Sequence, residues 1–385
     1  LIVSFFLTTV INFEIEDGQC DSKSQCYDDG KFLFYDVNAP EGFNLRRDVY
    51  MRFAIMLYQA RKKGKTNWSL VLPPWNRLYH WRSEHQEPTP WRAFFNIDDM
   101  KKFVPVVEME DFVNNKLLQI DRVFILKNYE NPFEHGEFRE KWEIVNDEEC
   151  VYDDFWGYRN ISAKEIICVR FQGQISKLWE LISLHPRDRY VMFTNGEIPL
   201  HDNYGTKTYW DCRKSMKFNK DLIYTAKEYI KKNFKCSENC NYAALHWRRQ
   251  DFSQSRYKES PSIIGTVNQI DKALKKLKIN QLFIATDAGN EFDTLIQELS
   301  KFKLKVFYYT PKVDEIKKFK DGGVAIIDQI ICSYSRYFIG THESTFTFRI
   351  QEEREILGFP SNTTFNRLCP DEGICEKVSQ WTIVN

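Results

Sequence analysis

From residue 242 onward the chain alternates short apolar runs with stretches of helical periodicity. Tyr242–Trp247 (YAALHW) predicts a strand, and Ser262–Ile279 predicts a helix with Ile263, Val267, Ile270, Leu274 and Leu277 on one face. The same alternation predicts a strand at Gln281–Ala285 and a helix at Asn290–Phe302. Lys305–Tyr309 follows as a strand, Gly323–Ser335 as a helix, Arg336–Ile339 as a strand and Ser344–Leu357 as a helix. Strand and helix in strict alternation imply a parallel sheet with helices on both faces.

The first half carries the same signal less regularly. Lys31–Val37 reads as a strand, and Leu45–Arg61 as a helix with Val49, Phe53, Met56, Leu57 and Ala60 on one stripe and Asn44 as its expected cap. Further strands are expected at Ser69–Leu72, Val104–Glu108, Arg122–Leu126, Ile166–Phe171 and Tyr190–Phe193, with 128–162 as a long polar loop. The expected fold class is therefore α/β, with two Rossmann-like domains, residues 30–205 and 206–385, facing a cleft. Ligands of such sheets bind beyond the C-terminal ends of the strands.

Composition narrows the classes. The 385 residues are 43% hydrophobic and 15% aromatic, enough for a substantial core. The 54 basic side chains are matched by 54 acidic ones, and no basic stripe is interleaved with aromatics, which disfavours nucleic acid. The opening LIVSFFLTTVINF has the length of a signal-peptide core and is too short to span a bilayer, so residues 1–18 are read as a residual signal and tail and no stable membrane span is expected. Sequons at Asn67, Asn160 and Asn362 are candidate glycan acceptors. Eight cysteines form close pairs that suit disulfides: Cys20 with Cys26, Cys150 with Cys168, Cys236 with Cys240, and Cys369 with Cys375. Cys236 and Cys240 with His246 match zinc spacing poorly. Cys212 and Cys332 lie in expected helices and read as buried thiols. Together these features point to the lumen of the secretory pathway, the endoplasmic reticulum or the Golgi, although the C-terminal WTIVN is not a KDEL-type address.

Four constellations could carry chemistry, and each has a plainer reading. Glu41, between Pro40 and Gly42, follows the first strand and precedes a helix; it suits a general base, or else a helix-capping or solvated turn glutamate. His246-Trp247-Arg248-Arg249, with Asp251, ends the first strand of the regular half; its guanidinium groups suit a diphosphate, or else an Arg249–Asp251 ion pair. Asp328 lies on an apolar helix face, where an unpaired carboxylate is costly; the N–H edge of a purine would satisfy it, and so would a core arginine. Gly340–Phe346 is a strand-to-helix turn whose Ser344 and Thr345 suit a phosphate, or merely cap the helix. No Asp-x-Asp, GxxxxGK[ST] or GxGxxG is present, so no metal clamp for a diphosphate is expected and arginine with helix N-termini would have to neutralise a leaving group.

These residues lie within longer segments: YDVNAPEGFNLRRDVY (35–50), VLPPWNRLYHW (71–81), FWGY (155–158), YWDCRKSM (209–216), LHWRRQDF (245–252), FIATDA (283–288), KDGGVAIIDQIIC (320–332) and GTHESTFTFRIQEEREILG (340–358). In them the chain resembles the protein O-fucosyltransferases, in particular the type 2 branch that modifies thrombospondin type 1 repeats, from about residue 31 to the C-terminus. The resemblance implies an inverting glycosyltransferase of GT-B architecture that uses GDP-β-L-fucose without a metal. It implies Glu41 as the catalytic base and Arg248 as stabiliser of the leaving group. The implied donor site comprises Pro40, Glu41, Gly42, Phe43, Asn44, His246, Trp247, Arg248, Asp328, Ser344, Thr345 and Phe346. The implied partners are folded thrombospondin repeats. Trp247 stands where the family commonly has Leu, and His342 and Glu343 stand where smaller residues are usual. A rival reading is a luminal binding or quality-control protein that holds such repeats without chemistry.

Overall fold

A computed structural model describes residues 30–384 apart from 65–66, 77, 79–80, 82–86, 115, 135–136, 147–149, 203 and 238–239. The N-terminal apolar stretch lies outside the described residues. Among the described residues no helix is long and apolar enough to cross a membrane.

The larger sheet is built from β1 (Lys31–Tyr35), β2 (Trp68–Leu72), β3 (Val106–Glu108), β4 (Arg122–Lys127), β5 (Lys141–Val145), β6 (Ile166–Gln172) and β7 (Tyr190–Thr194). Their order is β3-β2-β1-β7-β4-β6-β5, parallel throughout except for β5, which runs antiparallel to β6. The smaller sheet holds β8 (Ala243–Trp247), β9 (Gln281–Thr286), β10 (Lys305–Phe307) and β11 (Tyr337–Gly340), all parallel in the order β10-β9-β8-β11. Strand order changes direction between β1 and β7 in one sheet and between β8 and β11 in the other. At such switch points neighbouring loops diverge to opposite faces and leave a crevice.

The longer helices are α1 (Phe43–Lys62), α2 (Lys207–Ser215), α3 (Lys220–Phe234), α4 (Ile263–Leu277), α5 (Asn290–Ser300), α6 (Val313–Ser333) and α7 (Thr345–Ile356). Two expectations change here. The cap of α1 is Gly42 rather than Asn44, whose side chain is engaged elsewhere. Helix α6 begins ten residues earlier than the apolar pattern indicated; Lys320, at φ 56° and ψ −176°, breaks it into two segments. At Gly322 just beyond the break, a Cβ would lie 2.7 Å from the rings of both Trp81 and Phe94, so only glycine lets α6 meet that aromatic wall.

One apolar cluster runs from Leu33, Val49 and Phe53 of the first half to Ile326, Ile330 and Phe338 of the second. Buried charge crosses the same junction. Glu352 of α7 is fully buried and accepts from Arg213 of α2 (2.8 Å) and from Tyr209, and it pairs with Arg349 (3.1 Å). Arg349 also reaches Asp48 of α1 at 3.4 Å.

Of the four expected disulfides, three are present: Cys150 is joined to Cys168, Cys236 to Cys240 and Cys369 to Cys375. The fourth expected pair, Cys20 and Cys26, differs from these in that both Cys20 and Cys26 lie outside the described residues, so no bond between them is assigned. Cys212 and Cys332 are buried and free, as their place in helices indicated. Asn67 and Asn362 are exposed, whereas Asn160 is half-buried and donates to the Lys116 carbonyl at 2.6 Å.

Candidate active site

A cavity of about 600 Å³ opens where the loops following β1 meet those following β8, β9 and β11. Of the residues expected to hold a donor, Pro40, Glu41, Gly42, Phe43, Asn44, His246, Arg248, Asp328, Ser344, Thr345 and Phe346 line it. Trp247 does not. Successive side chains of a strand face opposite ways, and Trp247 is buried in the core between the smaller sheet and α4, with Arg249 stacked 5.0 Å from its ring centre.

The turn after β1 is held from two sides. The Glu41 amide donates to the Asn38 carbonyl at 3.0 Å. Arg46, one turn into α1, donates to the carbonyls of Glu41 (3.0 Å), Asn38 (3.4 Å) and Ala39 (3.5 Å). From the end of β7, Glu197 accepts the Asn38 amide at 3.2 Å. The backbone around Glu41 is thus fixed while its carboxylate accepts no hydrogen bond from any described residue. The plain reading of Glu41 as a helix cap has no support, because Gly42 occupies that place. Burial, aided by the charges of Glu41 and Asp36, pushes Glu197 above the ordinary glutamate range.

His246 faces the cavity from β8, stacked on Phe346 with ring centres 4.4 Å apart. Its Nδ1 lies 2.8 Å from the Thr347 hydroxyl, which itself donates to the Thr341 carbonyl at 3.0 Å. A hydroxyl has one proton to give, so Thr347 accepts from His246; this places the imidazole proton on Nδ1 and leaves Nε2 an acceptor. Burial, reinforced by the Arg248 charge, lowers the imidazole to about 3, so it stays neutral. His246 therefore suits a ligand hydroxyl better than a phosphate.

Arg248 follows the same strand, its amide donating to the Thr341 hydroxyl at 2.9 Å. Its guanidinium contacts Asp251 (2.6 Å) and Asp287 (2.7 Å). The expected Arg249–Asp251 pair is not formed: Arg249 turns away and grips Glu291 with two bonds of 2.7 and 2.9 Å. Opposite, Ser344 precedes α7 without its side chain capping any amide. The first-turn N–H groups thus lack a side-chain acceptor, the arrangement that receives phosphate oxygens. Gly340 is required here, since a Cβ would meet Thr347 at 2.4 Å.

Asp328 lines the cavity from α6, and its Oδ1 is covered and without a hydrogen-bond partner. No arginine among the described residues answers it, so the core-arginine reading fails. Burial pushes the carboxyl well above the ordinary aspartate range.

Sequence reasoning missed Trp81, Phe252 and Arg256, which also line the cavity. Arg256 bonds to Glu259 (3.2 Å) and to Glu343. Glu259, Glu343 and His342 have ligand-like spacing at the mouth, and this guanidinium already balances the two carboxylates. Nothing local marks Arg256 as a cavity residue: its pair with Glu259 is an ordinary neighbour contact, and Glu343 comes from a distant turn.

A family model described as GDP-fucose protein O-fucosyltransferase matches residues 32–357. The chain belongs to that family. It is 38% identical to GDP-fucose protein O-fucosyltransferase 2 of Caenorhabditis elegans, over 92% of this chain and 90% of that one. It is equally 38% identical to the Homo sapiens protein of the same name, with the same coverage. Among solved structures, POFUT1 in complex with GDP-fucose superposes with a TM-score of 0.57 at 13% identity, covering 89% of this chain and 97% of that one. That likeness gives the fold, the two-sheet arrangement known as GT-B. Like the rest of its family, the chain is a glycosyltransferase that uses GDP-fucose as donor.

Proposed function

We propose that this O-fucosyltransferase transfers fucose from GDP-β-L-fucose to a Ser or Thr hydroxyl of a folded thrombospondin type 1 repeat, by a single displacement with Glu41 as base. The observation that carries this reading is the unpartnered Glu41 carboxylate in a cavity whose opposite wall presents Arg248 and the uncapped start of α7. Glu41 takes the proton of the acceptor hydroxyl as that oxygen attacks the anomeric carbon. The bond from that carbon to the phosphate oxygen breaks, and configuration changes from β to α. Arg248 and the amides at Thr345 and Phe346 bear the charge of the departing GDP. His246 Nε2 accepts from a donor hydroxyl, and Asp328 accepts from the guanine edge. No step requires a metal.

The acceptor class is supported by the similarity to proteins named GDP-fucose protein O-fucosyltransferase 2. An acceptor read by its folded surface is expected to be modified only when native; equal transfer to a reduced, unfolded repeat would contradict this. The three disulfides support a luminal site, which we assign to the endoplasmic reticulum, with Asn67 and Asn362 as the accessible glycan acceptors. The family's GDP-fucose chemistry favours this reading over a non-catalytic holder of repeats.

A pH effect on donor binding follows from Asp328. Its unpartnered carboxyl is packed near Tyr229, Tyr309 and Cys332, all of which burial keeps neutral. A protonated carboxyl has one free acceptor oxygen and a carboxylate two, so accepting both N–H groups of the guanine edge favours ionisation. GDP binding is then expected to release a proton and to tighten as pH rises toward the raised value. Calorimetry in buffers of different ionisation enthalpy measures that release. Asp328→Asn is expected to abolish it and to weaken GDP about tenfold or more. Unchanged proton release in this variant would remove Asp328 from the guanine site.

A further inference from the structure

Asn44, Arg47 and Gln329 close a triangle of hydrogen bonds between α1 and α6. Arg47 Nη1 donates to Gln329 Oε1 at 2.9 Å and to Asn44 Oδ1 at 3.3 Å, and Gln329 Nε2 donates to Asn44 Oδ1 at 2.8 Å. Arg47 and Gln329 are both buried, and neither appears on the cavity surface. The guanidinium sits among the rings of Phe43, Phe95 and Phe218, 5.2–5.8 Å from their centres. Its Nε and Nη2 find no acceptor, so the two carboxamides are its hydrogen-bond partners.

A guanidinium offers only donors, so a carboxamide against it must turn its oxygen inward. This settles the orientation of both amides by chemistry alone, where the oxygen and nitrogen of a carboxamide are otherwise hard to tell apart. With two donors on Oδ1, Asn44 has only Nδ2 left for the cavity it lines, three residues from Glu41. That nitrogen bonds to no described residue. An unrestrained amide would be free to turn its carbonyl toward a bound anion instead.

We propose that Gln329 and Arg47 are positioning residues for the transfer reaction, locking Asn44 so that it presents N–H donors to the diphosphate of the nucleotide sugar. Neither touches the substrate; both act through Asn44. The lock also ties the segment bearing Glu41 to the helix bearing Asp328. It rests on the reading that this cavity holds GDP.

The experiment measures GDP and guanosine binding by calorimetry for the wild type, Asn44→Ala, Gln329→Glu and the double variant. A glutamate at this position still accepts from Arg47 but cannot donate to Oδ1. It draws Nδ2 toward itself and turns the Asn44 carbonyl to the cavity. Gln329→Glu is expected to weaken GDP about tenfold or more, guanosine much less, with no loss of thermal stability. In the Asn44→Ala background the same change is expected to add little, because its effect runs through Asn44. Gln329→Met removes one of the two donors to Oδ1 and leaves Arg47 at 3.3 Å, so it is expected to weaken GDP by at most about a factor of two, the limit for a group correctly turned half the time. Full GDP affinity in Gln329→Glu, or an equal loss in the Asn44→Ala background, overturns the lock. A wild type that binds no GDP overturns the site itself, and the lock with it.

Discussion

Glu41→Ala is expected to lower kcat by about 10²–10⁴ while leaving GDP affinity within a few-fold of the wild type. A base acts on the acceptor proton, so its loss appears in the chemical step and not in nucleotide binding. The scaffold should survive the change. Arg46 and Glu197 hold the turn through its carbonyls and the Asn38 amide, and none of those contacts involves the Glu41 side chain. Single-turnover transfer of labelled fucose to a folded thrombospondin repeat, paired with GDP calorimetry, separates the two effects. Near-normal turnover would remove Glu41 from the mechanism. A matching fall in GDP affinity would make it a donor-binding residue instead.

The largest effect on stability is expected at Glu352. Its carboxylate answers Arg213, Arg349 and Tyr209 in a site closed to solvent. Glu352→Gln keeps the shape but leaves two buried guanidinium groups short of negative charge, which costs about 3–5 kcal/mol. Glu353, which accepts from Arg213 at 2.9 Å, and Asp48, beside Arg349, limit that cost. Against a typical domain stability of about 5–15 kcal/mol the change is severe, and a urea midpoint would report it. A cost below about 1 kcal/mol would mean that the neighbouring carboxylates suffice. Replacing the glutamate and both arginines with apolar residues of similar volume is expected to restore only part of the stability: the buried guanidinium groups are gone, but Glu353 loses Arg213 and Asp48 keeps only Arg52 and His201.

The same network sets an acid limit. Burial alone would raise Asp48, but the hydrogen bond from His201 and the charges of Arg349 and Arg52 outweigh it and hold the carboxyl below the ordinary aspartate range. A depressed folded-state value means stability that is present above the unfolded value, about 4, and lost as pH falls below it. Opening of the α1–α7 contact on acidification is the expected consequence.

The alternating strands and helices of the second half were legible because a parallel sheet with covered faces needs apolar strands and one-sided helices, and both leave local periodicities. The placing of His246 near the end of its strand, and of Arg248 and Ser344 beyond strand ends, follows from that alternation. The cysteine pairs at 150 and 168, 236 and 240, and 369 and 375 were legible too, since short loops need no knowledge of the fold. Where local signal was absent the reading fell short. Strand β5 lay hidden in an expected polar loop because an edge strand need not be buried. The first segment of α6 is charged and largely exposed, so no apolar face announced it.

What the sequence determined by itself is therefore the list of chemically able side chains and the strand ends that carry them. Which of them work together was decided by the tertiary structure. Trp247 was set aside by strand alternation once His246 faced the cavity, and Arg249 by a bond to Glu291 across a loop. Asn44 gained its orientation from Gln329, 285 residues away. Hydrogen bonds of this kind are made when two sheets pack, and no local period records them. Glu41 belongs to both levels: its position before a helix is written in its neighbours, but the emptiness around its carboxylate exists only in the folded chain.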